Sequence, residues 1–158
     1  MNKIFTYGTL LFLTITLNSC AAGKFINAYI SVNKKGGTLN GQIYTSPYNS
    51  YKIGKLDNNW KRINVKKGDI AYYNKESDST ITVNSDCRKE KRRYSLKALS
   101  NSLVVGFRNK EIIERKELDI DQSTGLYNEY AGTLNGQEIS LATVVYKSQK
   151  CNYDFSYS

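Results

Sequence analysis

Histidine is absent from this sequence, which narrows the chemistry that its side chains can perform. Histidine is the commonest general base, proton shuttle and metal ligand, so other groups would have to take those roles. The sequence also lacks a nucleophile elbow, a phosphate-binding loop, a dinucleotide fingerprint and an EF-hand loop. Asp119 and Asp121 are close in sequence, but their charged surroundings are more typical of a solvated strand edge than of paired catalytic carboxylates. We therefore expect no enzymatic activity, no cofactor and no metal site.

One cysteine has a sequence context that predicts a covalent modification. Cys20 ends the run Leu17-Asn18-Ser19-Cys20, which resembles a lipobox, where a signal peptidase cuts before a cysteine that carries lipid. The preceding residues fit a signal peptide, because Lys3 supplies positive charge and residues 4–17 form a short apolar stretch. That stretch is too short to cross a bilayer comfortably as a permanent helix. An ordinary secretory signal with an incidental cysteine is the alternative.

The other two cysteines, Cys87 and Cys151, form an even pair in a chain expected to be exported. Export places them in a compartment where disulfides form. We expect a disulfide that joins the end of a strand at Thr80–Asn84 to the start of the last strand. Two separately buried thiols are the alternative. Metal binding would need carboxylates from elsewhere, and the sequence contains no cluster that suggests them.

The net charge limits the partners of the chain. It carries 23 Lys and Arg against 14 Asp and Glu, and removal of Lys3 with the signal leaves 22 against 14. For an exported, lipidated protein we expect contact with the membrane through the anchor, and with an envelope protein or lipid, but not with nucleic acid. The densest basic run contains Arg88, Lys89, Lys91, Arg92 and Arg93. A solvated loop is favoured for this run over a binding patch.

Tyrosine is abundant, with 13 residues. Tyr44, Tyr48 and Tyr51 surround Pro47, the single proline, and we expect them to be the most exposed group of tyrosines. Tyrosine combines an apolar ring with a polar hydroxyl, so an exposed cluster is suited to stacking on sugars or lipids. An ordinary structural role for these tyrosines is the alternative.

The elements that must position these residues are mostly strands. Alternating apolar and polar residues separated by turn signals predict a series of short strands, with a hairpin at Asn135-Gly136 and a charged edge strand at 111–120. One helix is predicted from about Arg93 to Phe107, because Leu96, Leu99, Leu103 and Phe107 recur at helical spacing. Ser95 or a neighbour is expected to cap its start, and Gly106 suits its end.

The fold class predicted from these elements is α+β, a mainly antiparallel sheet with at least one packed helix. The expected domains are a signal peptide at 1–19, the lipidated cysteine and a tether at 20–28, and a single domain at 29–158. The last strand ends abruptly at Ser158, which suggests a domain truncated at its C-terminus or lacking a terminal helix.

From Trp60 onward the order of landmarks resembles a group of uncharacterised envelope lipoproteins of Gram-negative bacteria. The landmarks are residues 60–63, 69–72, 80–84, Cys87, the leucine helix ending at 105–107, and residues 151–155. The resemblance implies a PsbP-like α/β/α sandwich and a non-catalytic accessory or binding role at the envelope, sometimes alongside lipid transport. The only functional residue of these proteins that it carries over is the lipidated cysteine, Cys20.

The leading hypothesis is a membrane-anchored envelope lipoprotein that acts as a non-enzymatic binding or scaffold module. A periplasmic carrier or sensor of a small apolar ligand, accessory to a lipid-transport system, is the alternative, and a degenerate hydrolase is a weaker one. Ala21 stands where an aspartate often marks retention in the inner membrane, so the outer membrane is the expected location.

Overall fold

The computed structural model describes residues 37–64, 69–87, 94–148 and 150–158. The predicted signal peptide, Cys20, the tether and the basic run at 88–93 lie outside these residues. The described elements, in chain order, are β1 (Thr38–Asn40), β2 (Ile43–Thr45), β3 (Ser50–Lys52), β4 (Trp60–Ile63), β5 (Ile70–Asn74), β6 (Ser79–Asp86), α1 (Leu96–Ser102), β7 (Arg108–Ile120), β8 (Ser123–Leu134), β9 (Gln137–Lys147) and β10 (Asn152–Tyr157).

The main sheet has seven strands in the order β4-β5-β6-β10-β9-β8-β7, and each neighbouring pair is antiparallel. The prediction of a mainly antiparallel sheet with a packed helix is therefore confirmed. The charged strand β7 lies at one edge, as expected. The last strand, β10, lies at the centre of the sheet between β6 and β9. It therefore joins the three strands β4, β5 and β6 to the three strands β7, β8 and β9.

Hairpin signals in the sequence place the strands on either side of the centre. Leu134 pairs with Gln137, and the two residues between them, Asn135 and Gly136, have φ of 54° and 83°. These positive values are those of a type I′ turn, which Asn-Gly favours and whose twist matches the flanking strands. The predicted hairpin is confirmed, and it fixes the register of the two long strands β8 and β9.

The helix packs on one face of this sheet but is shorter than predicted. Its leucines Leu96, Leu99 and Leu103 contact Leu126 and Val145 in a buried cluster. As expected, the Ser95 side chain caps the start by accepting from the backbone of the third residue along, at 3.1 Å.

The helical periodicity of the sequence continues past the true end of α1. Leu103 and Val104 donate their backbone N–H groups to carbonyls three residues earlier, at 3.1 and 3.3 Å. Such tight turns follow the α-helix without continuing it, and Gly106 then takes a φ of 93°. Phe107 contacts the neighbouring buried cluster around Tyr130, so the predicted helix end was wrong although the apolar stripe is packed.

A second, smaller sheet covers the opposite face of the main sheet. It has the order β1-β2-β3, and its Tyr44 packs against Ile70 and Val83 of the main sheet. Two neighbouring residues of β9 show that the helix and the small sheet lie on opposite faces. Val145 contacts the helix. Val144 is the register partner of Phe155, and Phe155 packs against the Tyr44 cluster. Successive residues of a strand point to opposite faces. The main sheet is therefore sandwiched between a small sheet and a helix.

The predicted disulfide between Cys87 and Cys151 is present, with 4.1 Å between the two Cα atoms. Its position follows from the register of β6 and β10, in which Asp86 pairs with Asn152. The next residue outward on each strand is a cysteine, so the pairing of the strands brings the two sulfurs together. The bridge joins residues 64 positions apart and ties the loop before β10 to the end of β6.

Among the described residues, no helix has the length and apolar character needed to cross a bilayer.

We predict that Leu103→Ala lowers the free energy of unfolding by about 2–5 kcal/mol, the cost of deleting a buried leucine side chain. Leu103 is 8% exposed, whereas Val105 is 78% exposed, so Val105→Ala is the matched control. Chemical denaturation of the purified, oxidised protein measures both. Equal, small losses in the two variants would show that the leucine stripe does not anchor the helix.

Candidate functional site

A buried carboxylate lies where the small sheet meets the main sheet. Asp69 directly precedes β5, is 8% exposed and accepts hydrogen bonds from three hydroxyl groups. Tyr44 donates at 3.0 Å, Tyr51 donates at 3.1 Å, and Ser85 donates to the same oxygen as Tyr51. The donors belong to β2, β3 and β6. Burying a carboxylate is costly unless it is hydrogen-bonded, so the three hydroxyl groups stabilise Asp69 in this position. Because they come from both sheets, their hydrogen bonds also hold the two sheets together.

The same contact changes the acidity of the two tyrosines. Burial, followed by the nearby Asp69 carboxylate, raises the pKa of Tyr44 to about 12. The same two causes raise the pKa of Tyr51 well above its ordinary value. Ionisation of either phenol would place a second negative charge beside a buried carboxylate, so both remain hydrogen-bond donors at neutral pH.

From this carboxylate a row of aromatic rings runs across the sheet. The Tyr44 and Tyr51 ring centroids are 5.0 Å apart, and Tyr51 meets Tyr153 edge-on at 5.9 Å with an interplanar angle of 87°. Tyr153 stacks on Tyr146 at 4.9 Å with an angle of 11°. Tyr153 and Tyr146 are register partners on β10 and β9. Each ring restrains the next, so the position of Tyr146 depends on the chain of contacts that begins at Asp69.

A cleft of about 520 Å³ opens at the far end of this row. Three loops form its walls and the stacked pair forms part of its lining. The lining residues are Tyr48, Asn49 and Ser50 from the β2–β3 segment, Asp121, Gln122 and Ser123 from the β7–β8 turn, and Tyr146, Ser148, Lys150, Cys151 and Tyr153 around the β9–β10 loop. The volume falls within the range of roughly 300–1,000 Å³ typical of small-molecule sites.

The β2–β3 loop is fixed by a small hydrogen-bonded turn. Ser46 donates its backbone N–H to the Asn49 carbonyl at 2.8 Å, and Asn49 returns its N–H to the Ser46 Oγ at 3.2 Å. The Ser46 hydroxyl also donates to the Asn49 side-chain carbonyl. The amide nitrogen of that side chain, Nδ2, is buried and has no hydrogen-bond partner among the described residues. The bonds with Ser46 fix Asn49 at the wall of the cleft.

The β7–β8 turn forms a second wall of the cleft, and its backbone is strained. Ile120 pairs with Ser123, so Asp121 and Gln122 form a two-residue turn with φ of 47° and 59°. Turns of this kind favour Asn and Gly, and glutamine at positive φ is uncommon. Strained residues of this kind cluster at functional sites because the surrounding structure has to hold them in place.

The β9–β10 loop forms the third wall. The Ser148 hydroxyl accepts the backbone N–H groups of Lys150 and Cys151, at 3.3 and 3.0 Å. Cys151 is in turn fixed by the disulfide. The walls of the cleft are thus held by local hydrogen bonds and a covalent cross-link.

The predicted tyrosine group is divided in the structure between the surface and the interior. Tyr48 is 66% exposed and lines the cleft. Tyr44 is 1% exposed, which corrects the expectation that it lies at the surface. Strand alternation places it on the inner face of the small sheet, where its hydroxyl accepts from the Gly37 N–H and donates to Asp69. Tyr51 is half-buried for the same reason.

Several residues of the site escaped the sequence analysis. Tyr146 and Tyr153 have the alternation of ordinary strand residues, and only the pairing of β9 with β10 makes them a stack. Asp69 stands at the start of a stretch predicted to be a strand, and nothing local marks it as buried. Asp121 and Gln122 could have been suspected, because two long strands with no Gly or Asn between them imply a strained turn. Of the predicted binding residues, Arg88, Lys89, Lys91, Arg92 and Arg93 lie outside the described residues.

Within the described ranges, Cys, Asp and Glu form no group of three or more that could hold a metal ion.

No protein-family model and no curated protein matches the chain. Among solved structures, the chain is similar to the solution structure of cyanobacterial PsbP (CyanoP) from Synechocystis sp. PCC 6803, with 17% identity, a TM-score of 0.48 and coverage of 77% of this chain and 85% of that one. It is also similar to the crystal structure of PA94, a protein of unknown function from Pseudomonas aeruginosa, with 12% identity, a TM-score of 0.43 and coverage of 73% and 79%. Both TM-scores are below 0.5.

We predict that the protein loses stability as the pH rises above about 10. The unfolded tyrosines ionise near that pH, whereas Tyr44 in the folded protein does so only near pH 12. The unfolded state therefore releases protons first, and between about pH 10 and pH 12 this increasingly favours unfolding. Below about pH 10 the stabilisation of the folded state linked to the raised pKa is fully present. Urea unfolding at a series of alkaline pH values measures the decline.

Tyr51→Phe should reduce that decline and also cost about 1.5–3 kcal/mol at neutral pH, the scale of a hydrogen bond to a charged group. Tyr48→Phe, at an exposed position in the same segment, is the control and should change neither quantity. The Asp69 cluster would not be the source of the alkaline instability if Tyr51→Phe followed the same pH profile as the unsubstituted protein.

Proposed function

We propose that this protein is a membrane-anchored lipoprotein of the bacterial cell envelope whose domain binds a polar ligand without acting on it chemically. The lipobox ending at Cys20 supports the anchor, and Ala21 after it favours the outer membrane. The observation that carries the binding role is the cleft walled by three restrained loops and backed by stacked tyrosines. The proposal includes a PsbP-like domain. The antiparallel main sheet with a helix on one face supports it, whereas the other face is covered by a small sheet and not by the second helical layer expected of an α/β/α sandwich.

Three potential nucleophiles of the cleft are already engaged by local structure, which favours binding over catalysis. Ser148 accepts two backbone N–H groups, and Ser50 donates to the Tyr44 carbonyl at 3.1 Å. A serine nucleophile needs a hydroxyl free to be deprotonated by an adjacent base. Cys151 is held in the disulfide and offers no thiolate. The amide, carboxylate and ammonium groups of the lining are suited to orienting a ligand.

The polarity of the lining bears on the choice between a polar and an apolar ligand. Amide, carboxylate, ammonium and hydroxyl groups surround the cleft, and an apolar ligand would strip water from them without replacing their hydrogen bonds. This cost supports a polar ligand over the small apolar one of the carrier hypothesis.

We expect Cys20→Ala to abolish incorporation of labelled palmitate and to move the protein out of the membrane fraction or leave it as precursor. A single acyl chain binds membranes only marginally, whereas the two or three chains of a mature lipoprotein anchor it firmly. Metabolic labelling and fractionation of cells expressing the full chain measure both. Cys87→Ala is the control, because it removes a cysteine without touching the lipobox. Palmitate that persists in Cys20→Ala would refute the anchor.

The binding role predicts that polar small molecules stabilise the purified protein. Ligand at about 100 times its dissociation constant stabilises the folded state by about 2.7 kcal/mol, which raises the melting temperature measurably. A thermal-shift comparison of two panels, one of sugars, amino acids and nucleotides and one of fatty acids and phospholipids, tests this. Stabilisation by the apolar panel alone would overturn the polar-ligand proposal in favour of the carrier. No stabilisation by either panel would contradict the binding role.

A further inference from the structure

We propose that the polar ligand of the cleft is a saccharide, with a pyranose ring lying against Tyr146 and its hydroxyl groups bonded by the loop side chains. This inference rests on the proposed binding function and names the chemical class of its ligand.

The cleft contains an aromatic surface suited to a sugar ring. Tyr146 lines the cleft and is backed by Tyr153, stacked at 4.9 Å and nearly parallel. Tyr153 is itself held by the edge of Tyr51 at 5.9 Å. One face of a pyranose ring presents C–H groups that pack on such a surface, and tyrosine offers a rigid, amphipathic contact at low entropic cost. A ring that is already held in place loses little further freedom on binding.

Both donors and acceptors of hydrogen bonds surround that ring. Asp121 supplies acceptors, Lys150 supplies donors, and the amides of Asn49 and Gln122 supply both. Sugar hydroxyls donate and accept at once, so they satisfy a mixed rim better than a ligand of one polarity does. Asp121 disfavours an anionic ligand, and Lys150 disfavours a cationic one. A neutral saccharide fits this balance.

The restrained walls of the cleft favour the same ligand class. The side chain and backbone of Asn49 are both bonded to Ser46, and Asp121 and Gln122 are held at positive φ in a two-residue turn. Polar groups on restrained loops lose little conformational freedom on binding, so they are suited to the fixed pattern of hydroxyl groups on a sugar ring.

The hydroxyl of Tyr146 supports the same class of ligand. Burial first, then the neighbouring Tyr153 and Asp121, raise the pKa of Tyr146. The phenol therefore stays protonated at neutral pH and presents a donor beside its ring.

Isothermal titration calorimetry on the full, anchored chain in detergent tests the proposal with three probes: the N-acetylglucosamine trisaccharide, maltotriose and an acidic disaccharide containing glucuronate. We expect a neutral probe to bind more tightly than the acidic one. Tyr146→Ala should weaken binding about tenfold or more, the order of magnitude by which alanine substitution of a stacking aromatic weakens the binding of a nucleobase. Tyr146→Phe keeps the ring and should stay within about threefold of the unsubstituted protein, since only one hydrogen bond is lost.

Asp121→Asn replaces a carboxylate acceptor of the rim with a neutral amide of the same shape and should also weaken binding several-fold, because hydrogen bonds to charged groups are the stronger ones. Tyr157→Ala is the control, because Tyr157 is an exposed tyrosine that lies outside the cleft, near Trp60. Circular dichroism and the melting temperature establish that each variant is folded. If Tyr146→Ala unfolds, Asp121→Asn decides the question alone.

The outcomes separate this inference from the proposed function. Binding of a saccharide that Asp121→Asn and Tyr146→Ala leave unchanged would overturn the site. Failure of all three sugars, with another polar compound bound in the cleft, would overturn the ligand class and leave the binding role standing. If no polar compound binds, both fall. Co-sedimentation with an insoluble polymer of the bound sugar distinguishes a polymeric source from a free oligosaccharide.

Discussion

The carboxylate of Asp69 is the constraint on which the arrangement around the cleft depends. It is almost fully buried and accepts hydrogen bonds from three hydroxyl groups, two on the small sheet and one on the main sheet. An unpaired carboxylate in that position would cost several kcal/mol. The small sheet is therefore most stable where its two tyrosines donate hydrogen bonds to Asp69. The aromatic row then transmits the constraint, because Tyr51 contacts Tyr153 and Tyr153 stacks on Tyr146.

The cleft combines a restrained base with walls drawn from distant parts of the chain. Residues around Asn49, Gln122 and Lys150 meet there because of two features of the fold. Strand β10 lies between β6 and β9, and the small sheet packs on the face of the main sheet that carries Phe155. The disulfide at Cys151 and the Ser46–Asn49 turn reduce the freedom of two of the walls. Restrained loops on a sheet scaffold are suited to recognition, since little conformational entropy is lost when a ligand binds.

Two features of the chain bear on different parts of its proposed role. The predicted lipobox bears on the proposed membrane anchor and consists of a few consecutive residues that end at Cys20. The cleft bears on the proposed binding role, and its lining residues come from separate segments of the chain. The amide, carboxylate and ammonium groups of the lining favour the proposed polar ligand, because they would lose hydrogen bonds to water under an apolar one.

The sequence by itself determined what depends on neighbours along the chain. Asn135-Gly136 fixed a hairpin, the leucine spacing fixed a helix and the face it buries, and the alternation of 151–157 predicted a strand. The two cysteines led to a disulfide that is present. The helix end was wrong because tight turns continue the apolar stripe beyond Ser102. The burial of Tyr44, the role of Asp69 and the cleft itself were decided only by tertiary structure. Each depends on the order of strands in the sheet, and strand order is set by packing between segments far apart in sequence, which local patterns do not record.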